Sequence, residues 1–146
     1  MNNVDWDRRF FDLANYISKW SKDRSTQVGA VIVDKNKVVL SMGYNGFCRG
    51  IDDNIEKYHN RPEKYKWTEH AERNAIYNAA RQGSSLIGCT IYTSLYPCMD
   101  CARGIVQSGI VKVVSSYPDF DHPTWGGDFK CSRSLFIQSD VKTFFI

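Results

Sequence analysis

The sequence predicts a three-layer α/β sandwich, a mixed sheet of about five strands with helices covering both faces. Three observations predict it. Strand-like and helix-like patterns alternate along the chain without internal repeats or low-complexity tracts. Two apolar runs flank a tight polar turn near the beginning, which reads as a β-hairpin. The length of 146 residues suits one domain spanning residues 1–146 that buries about two-thirds of its unfolded surface.

The elements follow in order. Trp6, Phe10, Leu13, Ile17 and Trp20 recur at steps of three and four and predict an amphipathic helix over about 5–20. Val28 to Val33 and Val38 to Leu40 read as two strands around the turn Asp34-Lys35-Asn36-Lys37. Residues 45–68 are a long polar connection bearing Gly and Pro. Connections of that length are uncommon unless they serve a function or carry short helices of their own. A helix starts near Thr68 or Glu69, runs through Ala80 and stops at Gly83. The strand Cys89–Thr93 follows, then a helix over about 98–108 that ends at Gly109, then the strand Val111–Val114. A loop rich in Asp, Pro, Trp and Gly covers 116–128, and a short helix and the strand Val141–Phe145 close the chain.

At 42% hydrophobic and 24% charged residues, the composition is that of an ordinary soluble globular protein. The formal net charge of +3 suits an anionic small-molecule substrate better than a nucleic acid, which calls for a strong basic patch. No stretch approaches the ~18 apolar residues of a membrane span, and Met1-Asn2-Asn3-Val4-Asp5 does not open a signal peptide. The expectation is an intracellular, cytoplasmic protein with no membrane partner. The odd set Cys48, Cys89, Cys98, Cys101 and Cys131 argues against a disulfide framework in a reducing compartment. Cys98 and Cys101 are the informative pair, and the other three read as buried or half-buried thiols.

Pro97-Cys98-Met99-Asp100-Cys101 sits where a strand hands over to a helix. The helix dipole there favours thiolates, the form a metal needs. A spacing of three places both sulfurs on one side of the first turn. Alone, such a pair is ambiguous between half of a structural zinc site and a redox dithiol. His70 resolves the ambiguity, because it also opens a helix and is followed two positions later by Glu72. His70, Cys98 and Cys101 supply three ligands for Zn²⁺ and leave the fourth tetrahedral position to water, the open pattern of catalytic zinc. Residues two apart on a helix point in nearly opposite directions, so Glu72 is placed to serve the bound water and not the metal. The pattern H-x-E…P-C-x-x-C is the signature of zinc deaminases.

At these residues the chain resembles the cytidine deaminase superfamily, most closely its deoxycytidylate (dCMP) deaminase branch. The likeness is carried by Ser21-Lys22-Asp23, Thr26-Gln27-Val28-Gly29-Ala30, Gly43-Tyr44-Asn45-Gly46-Phe47, Arg49-Gly50 and Asp52-Asp53. It continues through His70-Ala71-Glu72, Asn74-Ala75-Ile76 and Leu95-Tyr96-Pro97-Cys98-Met99-Asp100-Cys101. It covers about residues 5–117 and is looser beyond. Two positions depart from the family pattern: Cys48 stands where proline is usual and Arg24 where it is frequent, and both changes alter loop stiffness.

The resemblance implies a cytidine deaminase-like fold and the conversion of dCMP to dUMP and ammonia, with dUMP feeding thymidylate synthesis. It implies that Glu72 moves the proton, that Asn45 bonds the sugar, and that the Ala71 backbone N–H and the Tyr96 carbonyl hold the base edge. Thr26 and Tyr117 would line the pocket, with Lys22, Ser25 and Tyr117 near the 5′-phosphate. It further implies a homohexamer activated by dCTP with Mg²⁺ and inhibited by dTTP, with the 43–53 loop, including Arg49, Asp52 and Asp53, as effector site. Asn74 and Arg81 lie two turns apart on one helix face, where Arg81 is a candidate for a phosphate or interface contact or a solvated cation near a helix end. Two other classes share part of the pattern. A nucleic-acid deaminase (tRNA adenosine or DNA cytosine) shares the zinc core but calls for a basic surface, and a non-enzymatic zinc or dithiol module has no need of Glu72.

Overall fold

The computed structural model describes residues 5–146; residues 1–4, read above as not opening a signal peptide, lie outside the described part. Helix α1 (Trp6–Ser18) begins at Asp5, whose side chain accepts the Arg8 backbone N–H at 2.9 Å. Such a cap satisfies one of the helix's free N-terminal donors. Its buried stripe is Phe10, Phe11, Ala14 and Ile17. Trp6 and Trp20, expected on that stripe, are exposed. Trp20 lies past the helix end, where the Ile17 carbonyl accepts its backbone N–H in a tight turn. Trp6 instead lies at the rim, stacked on Phe10.

The hairpin pairs β1 (Gly29–Val33) with β2 (Val39–Tyr44), with a register irregularity between Ile32 and Val33. Its turn is closed by the Asp34 carboxylate, which accepts the backbone N–H groups of Asn36 and Val38. The 45–68 connection does carry structure of its own. The short strand β3 (Gly46–Phe47), a 3₁₀ turn at Glu56–His59, the single-turn helix α2 (Lys64–Trp67) and the short strand β4 (Thr68–Glu69) follow one another. Tyr58 stacks on Trp67 at 3.8 Å, and a nearly buried ion pair joins Lys64 to Asp23 at 2.8 Å.

Helix α3 (Ala71–Gln82) ends at Gly83, whose φ of 72° closes it in the left-handed conformation that glycine adopts without strain. Then come β5 (Thr90–Thr93), α4 (Met99–Gln107), β6 (Lys112–Ser115), α5 (Gly126–Gln138) and β7 (Lys142–Phe145). Helix α5 is not short: it runs for 13 residues and begins inside the expected loop. Gly126 allows this, because a Cβ there would lie 2.3 Å from the Phe120 carbonyl oxygen.

The main sheet has the order β2-β1-β5-β6-β7. β1 pairs antiparallel with β2 and β5, whereas β5–β6 and β6–β7 are parallel. The mixed five-stranded sheet is as expected. Strand alternation divides the core. Val31, Val33, Tyr92 and Val114 face α1, while Ala30, Ile32, Ile91 and Val113 face the side that α3, α4 and α5 cover. Across the α1 side, the Asp7 carboxylate accepts from the Tyr92 hydroxyl and the Lys112 ammonium, both at 2.8 Å.

Of the three cysteines expected to be buried or half-buried, only Cys89 is. Cys48 is exposed in the loop just after β3, and Cys131 is exposed because α5 turns Phe129, Ser132 and Phe136 inward. Among the described residues, no helix is long and apolar enough to cross a membrane.

The contact that seats α3 on the sheet requires a glycine. A Cβ at Gly43 would lie 2.4 Å from the Ala75 backbone nitrogen and 2.6 Å from the Ala71 carbonyl oxygen. These are backbone atoms, so the helix must shift to admit a methyl group. Gly43→Ala is expected to cost ~1–3 kcal/mol of stability. In a protein of this size that lowers Tm by roughly 3–10 °C, a loss that calorimetry reads directly.

Candidate active site

Helices α3 and α4 begin side by side, and each begins with a metal-ligand type. His70 is the N-terminal cap position of α3 and Cys98 that of α4, both in extended backbone. Neither side chain makes a capping hydrogen bond to its helix, and both turn toward a common point. Cys101 lies one turn into α4 and is 0% exposed. The Nδ1 of His70 lies 3.3 Å from the Cys98 Sγ and 3.5 Å from the Cys101 Sγ.

The donor set fits zinc. With Zn–S near 2.3 Å and Zn–N near 2.0 Å, a tetrahedral site separates S and N ligand atoms by about 3.5 Å. All three ligand atoms lie within 4.8 Å of one another, the only such His/Cys/Asp/Glu grouping among the described residues. Cys98, Cys101 and His70 share protons, with Cys98 carrying the negative charge while its hydrogen bond to Cys101 and burial push the Cys101 thiol up. The Cys98 thiol is pulled down to about 4 by the Cys101 thiol and by His70, against the effect of burial. The hydrogen bond to Cys98 raises the His70 imidazole above its usual value. Burial works against the charge of Arg73, but the neighbouring Cys101 and the Glu69 carboxylate hold its guanidinium protonated. Arg73 bonds Glu69 at 2.6 Å and reaches Asp100 at 3.5 Å.

Glu72 stands in the first turn of α3 and is 4% exposed. Its Oε1 accepts from the Thr93 hydroxyl at 2.7 Å. Ala71 is the first residue of α3, where the helix leaves its N–H without an intrahelical partner. The β3–β4 ribbon pairs Gly46 with Glu69, so Asn45 and His70 each adjoin one end of the same two-residue ladder. Asn45 is buried and knits the 21–28 loop. Its Oδ1 accepts the Val28 N–H at 2.9 Å, its Nδ2 donates to the Thr26 carbonyl at 2.8 Å, and its own carbonyl accepts from Ser21.

The remaining candidates are spread around this centre. Tyr96 is buried among Phe129, Phe136 and Phe145, and its hydroxyl has no hydrogen-bond partner among the described residues. Thr26 and Ser25 are exposed, and their backbone N–H groups donate to the Asp23 carboxylate. Tyr117 is 69% exposed, with Phe145 at 5.1 Å. Lys22 is paired with Asp53, so a candidate for the substrate's phosphate is tied to a candidate of the effector loop. Arg49 donates to Asn78 at 2.6 Å, Asp52 caps Asn54, Asn74 donates to the Tyr44 carbonyl at 2.9 Å, and Arg81 is exposed. A charged cleft between the 22–24 loop and the 45–68 connection is lined by Lys22, Arg24 and Lys64 and by Asp53 and Asp23, and Arg24 is also paired with Glu56.

Sequence reasoning missed several groups around the centre. Thr93 gave no signal, because threonine is an ordinary strand residue. Asp128 accepts the Met99 N–H at 2.6 Å, holding the start of α4 from the start of α5. Trp125 presents an edge-on contact to His70 at 6.4 Å. Both come from the stretch read as a loop and a short helix.

Comparison with known proteins agrees with this geometry. The profile of the cytidine and deoxycytidylate deaminase zinc-binding region matches residues 4–117. A protein of Aliivibrio fischeri described as an uncharacterized deaminase in the luxG 3′ region is 42% identical over 138 residues, covering 94% of this chain and 90% of its own. Human deoxycytidylate deaminase is 35% identical over 146 residues, covering 94% of this chain and 78% of its own. The crystal structure of dCMP deaminase from the cyanophage S-TIM5 with dCMP and dUMP superposes with a TM-score of 0.80 at 24% identity, over 100% of both chains. A zinc-type ligand triad at two adjoining helix starts, a buried glutamate beside it and a matching profile over most of the length place this chain in the cytidine and deoxycytidylate deaminase family.

Proposed function

We propose that the protein, acting as one domain over residues 1–146, hydrolyses dCMP to dUMP and ammonia, supplying dUMP for thymidylate synthesis. The observation that carries the reading is the buried Glu72 carboxylate beside the cluster of three metal-ligand side chains, His70, Cys98 and Cys101. The substrate is suggested by the human relative, which is a deoxycytidylate deaminase.

His70, Cys98 and Cys101 would hold Zn²⁺, which when bound lowers the pKa of water towards ~7. Glu72 takes the proton of the attacking water and delivers it to ring N3 as the new bond forms at C4. It then takes the proton of the new C4 hydroxyl and passes it to the exocyclic nitrogen, so that the C4 carbonyl forms and ammonia leaves as the C4–N bond breaks. The Ala71 N–H and the Tyr96 carbonyl hold the base edge. Asn45 offers the sugar its remaining lone pair and N–H, and the contacts that hold its amide keep it in place. Thr26 and Tyr117 border the pocket. Lys22 and Ser25 receive the 5′-phosphate, for which Lys22 exchanges Asp53.

The same pairing is the basis for regulation by dCTP with Mg²⁺ and by dTTP in a homohexamer. An effector that engages the loop bearing Arg49, Asp52 and Asp53 would free or sequester Lys22, with Asn74 and Arg81 on the adjoining helix face. Effectors of this kind act only through different affinities for two states.

Phosphate recognition separates this reading from the others. A site that uses a substrate's charged group discriminates strongly against an analogue lacking it, because protein groups are then left unpaired. The expected kcat/KM for dCMP exceeds that for deoxycytidine by ~10² or more, with single-stranded DNA and tRNA inert. Lys22→Ala narrows the ratio. Ammonia release measured on this panel, with and without the triphosphates, is the test. Conversion of an oligonucleotide as fast as dCMP would overturn the reading in favour of a nucleic-acid deaminase.

A further inference from the structure

β5 carries a polar residue where its alternation calls for an apolar one. Ile91 faces the α3–α4–α5 side and Tyr92 faces α1, so Thr93 faces the same side as Ile91, toward the start of α3. Its side chain is 0% exposed. A hydroxyl at such a place costs free energy unless it is hydrogen-bonded, and valine would fill the same volume without that cost. The Thr93 Oγ1 stands between two acceptors, the Glu72 Oε1 at 2.7 Å and the Leu95 carbonyl oxygen at 2.9 Å. Leu95 opens the loop that leads through Tyr96 and Pro97 to Cys98. One hydroxyl therefore touches the proton-carrying carboxylate and the segment that delivers the cysteine ligands.

We propose that Thr93 is a positioning residue for the deamination: by donating its one hydroxyl proton to Oε1 of Glu72, it leaves the other carboxylate oxygen to take the moving proton. The proposal rests on the assignment of Glu72 as proton carrier. The physical need is clear. A glutamate has three side-chain torsions, and a misplacement of about 1 Å at a reacting group costs ~10²-fold in rate. Burial alone restricts the side chain but does not choose which oxygen points where. A hydrogen bond to one named oxygen does.

The test compares Thr93→Val, which keeps shape and loses the hydroxyl, with Thr93→Ser, which keeps the hydroxyl and loses a methyl group. Thr93→Val should lower kcat by ~10–100-fold, with KM, zinc content and cooperative unfolding retained. Thr93→Ser should recover most of the lost kcat. In a Glu72→Gln background, Thr93→Val should cost nothing further, because its effect passes through the carboxylate. The ratios are taken on whichever of dCMP, CMP or deoxycytidine the wild type converts fastest, so a wrong substrate assignment shows in the wild type and leaves the ratios intact. A Thr93→Val enzyme within twofold of wild-type kcat would overturn the proposal. So would an equal loss in both variants, which points to packing, or a full additional loss in the Glu72→Gln background.

Discussion

Glu72→Ala is expected to keep its zinc and its fold and to lose at least ~10³-fold in turnover. The separation of these outcomes follows from where the residue sits. Glu72 lies one position past Ala71 at the start of α3, where its Oε1 accepts from the Thr93 hydroxyl and its carboxylate faces the Cys101 thiol without belonging to the ligand triad. The metal donors His70, Cys98 and Cys101 stay in place without it. Removing the carboxylate takes away the group that receives the water's proton and returns protons to N3 and to the leaving nitrogen. General acid–base catalysis of this kind contributes ~10²–10⁴-fold, and here one residue serves several transfers. Elemental analysis alongside steady-state ammonia release checks both halves. Near-normal turnover in the zinc-loaded variant would remove Glu72 from the chemistry, and loss of zinc would make it a ligand.

Cys101→Ala has the complementary profile. Two donors remain, the His70 Nδ1 and the Cys98 Sγ, 3.3 Å apart. A stable tetrahedral site with an open position needs three protein ligands. The variant should purify without zinc after dialysis against a chelator and show no measurable turnover. Cys98→Ala should behave alike. Cys98 caps α4 through its backbone, since the Ala102 N–H bonds the Cys98 carbonyl at 2.8 Å, so its side chain can be removed without unravelling the helix. Full zinc in either variant, measured by elemental analysis, would refute the ligand assignment. Since protons compete with zinc for the sulfurs and for the His70 imidazole, zinc affinity in the wild type should also fall as pH drops.

The sandwich was legible because each layer writes its own period. β1 reads as a continuous apolar strand because it is buried on both faces. The ends of α3 and α4 were legible from Gly83 and Gly109, both of which adopt positive φ. Errors fell where burial is decided by neighbours far along the chain. Trp6 and Trp20 match the helical period of α1, yet the sheet meets the helix on the Phe10–Phe11–Ala14–Ile17 side. Cys131 is as apolar as Cys89 but falls on the solvent side of α5. The start of α5 was hidden because Gly126 and Gly127 disfavour a helix locally, whereas the close approach of the Phe120 backbone demands a glycine there.

The sequence by itself determined the chemistry of the centre. His70 and Glu72, and Cys98 and Cys101, are each separated by only two or three positions at a helix start. Local backbone geometry therefore presents each pair correctly before any packing occurs. Only the tertiary structure decided what joins the two pairs and what holds them. His70 meets Cys98 across 28 positions because β1 and β5 adjoin in the sheet and bring the starts of α3 and α4 together. The same strand pairing sets Thr93 against Glu72, and the packing of α5 sets Asp128 against Met99. The 45–68 connection folds back to pair Lys64 with Asp23 and Lys22 with Asp53. Such partners leave no trace in local periodicity, because a hydroxyl, a carboxylate or an ammonium is chosen by the atom it will meet, and that atom arrives only when buried surfaces pack.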